Sequence, residues 1–469
     1  MSSLADRIRG IVGQKPQPAL PAGELPIADH DHPTPGDRRL PSPASQFANP
    51  SNPSNPSNCS SPSNPESRIP NPDPLSVLGG EWRAKVFVVE RRRPAASRHG
   101  REAVGTFAEC LDAAATQASF YAGGAPARPP FVFFDLETTG LSGGAGTQVF
   151  LVGCGWFDAE GSFVTRQFLL TRFSEEPAML QEVASALEQA GALVTFNGKS
   201  FDAPVLETRY LFHRLSWNVR GLPHVDVLHP ARRFWKAGAP ADVGGPFQSR
   251  HACSLAALEK QMLGARRVGD VPGFQIPARY FQFVRTGDAA PLAPVLEHNR
   301  LDLLTLAALT ARLFHVTLHG PDAARDAREA LALGHVYARA GLATRACDAY
   351  ARAVEMTERG IVSQLIRIES LRALASAHRR ARAYGDAAVC WRRLLDTPGC
   401  PPIVVREATE ALAVHHEHRA RDLGAAKAFA LKGLDVDAQP AWTRAVHHRL
   451  ARLDRKLKLI EQPSSSLLS

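Results

Sequence analysis

None of the seven cysteines (59, 110, 154, 253, 347, 390 and 400) forms a CxxC pair, so a disulfide framework and a zinc site both lack their sequence signature. Long apolar runs are missing too. No stretch offers about 18 consecutive uncharged apolar residues, and the N-terminus, with Arg7 and Arg9, lacks the apolar core of a signal peptide. The expectation is a soluble cytoplasmic protein away from membranes. Acidic residues are in deficit, 46 against 55 Lys and Arg, for a net charge of +9 and a pI near 9.4. That balance favours a polyanionic partner without choosing between nucleic acid and an acidic lipid surface.

What is present divides the chain. A length of 469 residues exceeds the usual ceiling for one core, which predicts two folded domains and a less ordered part. Sixteen of the 36 prolines precede residue 75, and residues 49–58 repeat Asn-Pro-Ser, a composition too poor in apolar side chains to offset ordering entropy. Residues 1–74 therefore read as a disordered leader, with a short amphipathic helix over 3–13 as the exception. Lys85–Glu90 reads as a strand followed by a basic turn at Arg91, Arg92 and Arg93, within a strand extension and connector over 75–128.

Between 129 and 316 the pattern predicts three strands (131–134, 148–157, 162–171), a helix over 175–190 and a strand at 192–196. A helix at 202–214, a strand at 225–228 and helices at 254–263 and 292–314 follow. The order β-β-β-α-β-α-β-α describes a mixed sheet that starts as a meander and continues through helical crossovers. Beyond 320 the strands stop. Ala, Leu and Arg dominate three predicted helical pairs over 322–457, with turns at Gly341, Gly385 and Gly424 and a spacing of about 40 residues, before a tail at 458–469.

Asp135 and Glu137 leave the first buried strand two residues apart, so the pleat points both to one face. Two carboxylates beside apolar neighbours need compensation, and Mg²⁺ or Mn²⁺ suits all-oxygen ligands. An ordinary strand end facing water is the alternative for this pair taken alone. A second polar group, Asn197-Gly-Lys-Ser-Phe-Asp202, ends the next buried strand, where ligands collect in sheets with helical crossovers. A third, His298-Asn-Arg-Leu-Asp302, puts His298 and Asp302 one helical turn apart.

Together with Phe134-Asp-Leu-Glu-Thr-Thr-Gly-Leu141 and Asp270-Val-Pro-Gly-Phe-Gln-Ile-Pro277, these segments resemble the DEDD (DnaQ-like) 3′-5′ exonuclease superfamily, and more closely its YprB-like branch of ribonuclease H-like domains. The likeness covers about residues 80–315, and the C-terminal helices resemble tetratricopeptide repeats. The resemblance implies a ribonuclease H-like mixed sheet and a helical-hairpin repeat domain. It also implies two divalent cations on Asp135, Glu137, Asp202 and Asp302, with His298 near the attacking water. The spacing departs from the family: three residues separate His298 from Asp302, as in the Tyr subtype, whereas the His subtype has four.

Thr138, Asn197 and Lys199 flank the carboxylates and are expected to touch substrate. Arg232, Arg233 and Lys236, with Phe234 and Trp235 between them, suit phosphates and stacked bases, unless the two aromatics pack into the domain. Gly198-Lys199-Ser200 is not a phosphate loop, because Leu193 stands where its first glycine belongs. Residues Gly140–Gly146 read as a flexible loop. His415, His416, His418, His447 and His448 read as a solvated surface. Asp226 is either support for a ligand or a capped carboxylate.

The expectation is a metal-dependent nuclease acting on DNA or RNA, with the repeats open to a protein partner. The rivals are a catalytically weak nucleic-acid-binding scaffold and an adaptor acting mainly through its repeats.

Overall fold

The apolar run after Lys85 does not stop at the arginines. Val86–Arg93 forms one strand (β2) whose Arg91, Arg92 and Arg93 pair across the ladder with Thr165, Val164 and Phe163. The predicted basic turn is thus corrected to strand, and the reason is cross-strand charge: Arg92 binds Asp158 at 2.7 Å and also Glu160, both in the turn beyond its neighbour. The computed structural model describes residues 73–140, 146–236, 253–359, 363–434 and 440–461. The predicted leader up to residue 72, its helix at 3–13, the interior of the Gly140–Gly146 loop and the tail from 462 lie outside them.

Seven strands form one sheet: Glu81–Arg83 (β1), β2, Phe131–Thr138 (β3), Val149–Phe157 (β4), Phe163–Leu169 (β5), Ala192–Thr195 (β6) and His224–Asp226 (β7). Their spatial order is β1-β2-β5-β4-β3-β6-β7. β3, β4 and β5 form the predicted antiparallel meander, β2 and β1 extend it antiparallel beyond β5, and β6 and β7 add parallel on the β3 side through helical crossovers. The crossovers use Glu176–Leu187 (α2) and Asp202–Phe212 (α3), while Val104–Ala113 (α1) precedes β3. After β7 come Leu228–Trp235 (α4), a short helix Leu255–Leu258 running into a π turn Glu259–Leu263, Ile276–Thr286 (α5) and Ala293–His319 (α6).

Alternation along β3 feeds two cores. Val132, Phe134 and Leu136 face Met179, Leu180, Val183 and Leu187 of α2. Phe131 and Phe133 face the other way, toward Leu303, Leu306 and Phe314 of α6. Each such buried side chain contributes roughly 1.5–3 kcal/mol. Asp135 and Glu137 continue the α6-facing series, so helix and carboxylates share one side of the sheet. By length and composition, Ala290–His319 is the one stretch among the described residues that qualifies to cross a membrane, yet 72% of its apolar window is buried in the fold. Its Thr310 and Thr317 hydroxyls donate to the carbonyls of Leu306 and Leu313, as a core helix requires.

The C-terminal part is helical throughout its described residues: Ala327–Arg339 (α7), Ala343–Arg359 (α8), Gln364–Arg380 (α9), Tyr384–Leu395 (α10), Pro402–His415 (α11), Leu423–Lys432 (α12) and Pro440–Glu461 (α13). Gly341 makes the first predicted turn with φ of 77°. The others fall elsewhere. Gly385 and Gly424 each lie in the first turn of the following helix, and Arg382 and Arg421 take the left-handed conformation at φ of 62° and 57°. Asp422 caps α12 by accepting from the Ala425 amide, which fixes that helix start ahead of Gly424. His416 also departs from the solvated surface predicted for it. It is buried, stacked on Phe429 at 5.3 Å, with Arg392 3.0 Å from its Nε2.

A buried histidine ties the β1–α1 region to α6. His99 is 3% exposed, its Nε2 3.1 Å from Thr305 Oγ1, and burial, then Arg93 and Arg267, push its pKa down to about 4. A histidine lowered in the fold is bound there as the neutral ring, so its contribution is intact above about pH 6.5 and is lost as pH falls toward 4. The loss amounts to the order of 3 kcal/mol, part of it offset by Glu259 3.7 Å away, whose carboxyl burial raises. The urea midpoint of His99→Gln is expected to depend less steeply on pH over that window than that of the wild type. An unchanged slope would show that His99 protonates freely in the fold.

Candidate active site

The carboxylates meet where three segments end. β3 pairs with β6 only as far as Phe133↔Val194, and beyond that point the Leu136 amide acts on the Asp202 carboxyl, lowering it against its burial. Asp202 opens α3, a favourable place for an anion, and is 6% exposed. A register shift between Glu137 and Thr138 re-aims the end of β3. From α6, His298, Asn299 and Asp302 approach the same face.

Asn299 is fully buried and donates from Nδ2 to Asp135 Oδ2 at 2.8 Å, while its Oδ1 accepts from Gln167 Nε2 at 2.8 Å. Gln167 also donates to the Leu296 carbonyl at 2.8 Å, which locks its own rotamer. Room for this chain comes from Gly153, opposite Asp135 in the ladder. A Cβ there would stand 2.2 Å from Asn299 Oδ1. None of these three residues was singled out from the sequence. Gln167, a polar residue on a buried face of a strand, was the available signal.

Asp226 is a capped carboxylate that shapes the neighbouring loop. It accepts from the amides of Asn197 (2.9 Å), Lys199 (3.1 Å) and Leu228 (3.1 Å). Asn197 reaches this turn through a left-handed φ of 74°, which an Asn tolerates better than most residues. Lys199 is exposed there. The Thr138 hydroxyl is spent inside the chain, donating to the Gly140 carbonyl at 2.8 Å.

Charge is unevenly distributed over the four acids. Burial, then Asp302, Glu137 and Asp202, drive the Asp135 carboxyl well above the usual range against the Asn299 hydrogen bond. Burial with Asp302, Asp202 and Asp270 pushes Glu137 up to about 8. Asp202 rises to about 7, chiefly through burial with Asp226 adding to it, against hydrogen bonds from its own amide and that of Leu136. Arg267 Nη2 stands 2.5 Å from Asp302 Oδ1. The same guanidinium binds Glu259 at 2.6 Å and Asp270 at 3.4 Å. His298 lies between two acids, its Nδ1 2.6 Å from Asp270 Oδ1 and its Nε2 3.5 Å from Asp302 Oδ2.

This donor set fits divalent cations. Its ligands are all oxygen, three of them are pushed toward protonation by burial and like charge, and a cation relieves that repulsion. Among the described residues no three His, Cys, Asp or Glu groups already stand arranged around one ion. Protein groups already occupy two of the acids: Asn299 donates to Asp135 and Arg267 to Asp302.

Arg267 also carries a stability prediction. Its side chain is 6% exposed and that of Glu259 2%, so Arg267→Met strands a buried carboxylate and is expected to cost about 3–5 kcal/mol. A urea midpoint unchanged from wild type would contradict the bridge.

The sequence-predicted acids and His298 are thus brought to one place, whereas the predicted aromatic stackers are not. Phe234 and Trp235 are 1% and 3% exposed, packed edge to face, with Trp235 Nε1 donating to Glu329 Oε1 at 2.9 Å. Packing wins because α4 is sandwiched between the sheet domain and α7. Arg232, Arg233 and Lys236 remain exposed.

A mixed sheet carrying acids at the ends of its central strands and on the helix that crosses them is a nuclease-type fold. Residues 132–314 match the RNase_H superfamily, so the chain carries a domain of that superfamily. It is similar to "Uncharacterized protein YprB" of Bacillus subtilis (strain 168), 32% identical over 332 residues that cover 69% of this chain and 74% of the relative.

Proposed function

We propose that the chain is a metal-dependent nuclease, a 3′-5′ exonuclease that hydrolyses phosphodiester bonds of DNA or RNA. Two divalent cations, Mg²⁺ or Mn²⁺, would be held by Asp135, Glu137, Asp202 and Asp302. One observation carries the reading: three crowded carboxylates, two half-buried at the end of β3 and one buried at the start of α3, lie within electrostatic reach of Asp302 or of one another, without enough positive charge between them. Bound there, the cations would neutralise the acids, offset charge developing on the phosphate and ease water activation.

The chain's own groups do the rest. Asn299 fixes Asp135 Oδ2, and Arg267 fixes Asp302 Oδ1, so each acid presents its other oxygen inward. With Nδ1 of His298 2.6 Å from Asp270, Nε2, which lies 3.5 Å from Asp302 Oδ2, is the atom that would take a proton from an attacking water. Asn197 and Lys199 stand on the Asp226-held loop beside Asp202, placed for substrate, and Arg232, Arg233 and Lys236 supply phosphate contacts farther out. The helical hairpins are read as tetratricopeptide-like repeats attached to this catalytic domain.

The test is directional. A single strand labelled at its 3′ end should release labelled mononucleotide at once, and the same strand labelled at 5′ should shorten stepwise. Prompt release of the 5′ label, or cuts confined to the interior, would overturn the exonuclease assignment.

A further inference from the structure

The helical hairpins and α4 together line a groove of about 1310 Å³. Small-molecule sites run to roughly 300–1,000 Å³, so the size suits a polymer segment better. Six arginines line it (Arg232, Arg233, Arg328, Arg339, Arg372 and Arg380) against the carboxylates of Asp348, Glu369 and Glu407. Arg372 and Glu407 neutralise each other at 2.6 Å, leaving five guanidiniums against two acids. None of those five has an ion pair among the described residues.

The arginines also crowd one another. Burial and then Arg233 lower the Arg339 pKa, and the His335 ring beside them is lowered by burial, Arg233 and Arg339 in turn. Helix-end chemistry accounts for part of this, since Arg339 and Arg380 each close a helix, where a cation is favoured. Arg232 and Arg233 likewise sit in the last turn of α4, so helix-end preference leaves Arg328 unexplained, and it does not explain why these helix ends converge on one groove. A cluster of positive charge in excess over its counter-ions selects an anion.

We propose that this groove is a track for single-stranded nucleic acid that feeds the carboxylate site, an inference that rests on the nuclease reading for the direction of feed. Continuity supports the route. α4 begins two residues after Asp226, which holds the loop beside Asp202, so Arg232 and Arg233 stand about 6–8 Å along the helix from its start. The floor between the arginines is apolar, with Leu331, Ala346, Ile366 and Ala373. Unpaired bases can lie on such a floor while phosphates meet the guanidiniums, whereas a duplex keeps its bases stacked inside.

The experiment is equilibrium binding of a fluorescent single strand of about 20 nucleotides, in chelator so that nothing is cut, to the full chain and to Arg339→Gln/Arg380→Gln. Affinity is expected to fall at least about tenfold. The slope of log affinity against log salt should become shallower by about 1.4, two phosphate contacts at roughly 0.7 each on a single strand. Gln keeps both helices intact, the melting temperature checks that it does, and Arg339→Glu/Arg380→Glu should deepen the loss. Unchanged affinity and slope would overturn the track, as would an acidic peptide competing as well as the strand, which would make the groove a protein site. The two readings fail separately. A chain that binds through the groove yet never cuts sinks the nuclease, and one that cuts while the Gln pair binds normally sinks the track.

Discussion

Asp135→Asn is expected to lower phosphodiester hydrolysis by at least about 10³, the scale of removing a group that acts on transition-state charge, and at the same time to raise the melting temperature in chelator. Asn has the same shape and can still accept from Asn299 Nδ2 through its own Oδ1. What disappears is a buried negative charge facing Asp302, Glu137 and Asp202. The sign follows from linkage: a carboxyl raised in the fold is a liability above its unfolded pKa, growing until pH passes the folded value, so neutralising it stabilises at pH 7 and not near pH 3. Lost activity with a lower melting temperature would instead mean a damaged fold, and full activity would place the chemistry elsewhere.

His298→Ala should lose about 10² in rate, the usual worth of a positioned proton acceptor. His298→Tyr, which restores the residue that the three-residue spacing to Asp302 expects, should keep measurable activity. Asp270→Asn tests the support rather than the base, since it keeps an acceptor but removes the negative charge from the group that holds His298 Nδ1 at 2.6 Å, and a smaller loss than that of His298→Ala is expected. If Ala matches wild type, His298 only bridges Asp270 and Asp302.

Much of this was legible beforehand because periodicity and strand ends carry local information. The buried run at Phe131–Phe134 announces a central strand, and the two-residue step to Glu137 announces a shared face. Asp202 and Asp302 could be joined to it because their segments follow a strand and ride a helix. The hidden part consists of contacts across the sheet. Gln167 and Asn299 are 132 residues apart and Asn299 and Asp135 164, so no local pattern links them, although their bonds set the aim of the first carboxylate. Arg267 was equally opaque: a sequence shows a cation near Asp270 but not that it reaches Asp302. Phe234 and Trp235 illustrate the opposite error, since aromatics beside arginines read the same whether a base or a neighbouring helix covers them. The turn at Arg421 shows that capping, here by Asp422, can override glycine as the marker of a helix boundary.

The most direct measurement is hydrolysis of a labelled single strand by purified chain with Mg²⁺, after chelation, and after Mg²⁺ is restored. The carboxylate-site account predicts cleavage, then none, then cleavage again, with no cleavage by Asp135→Asn in any condition. Cleavage that persists in chelator, or that Asp135→Asn retains, would contradict it.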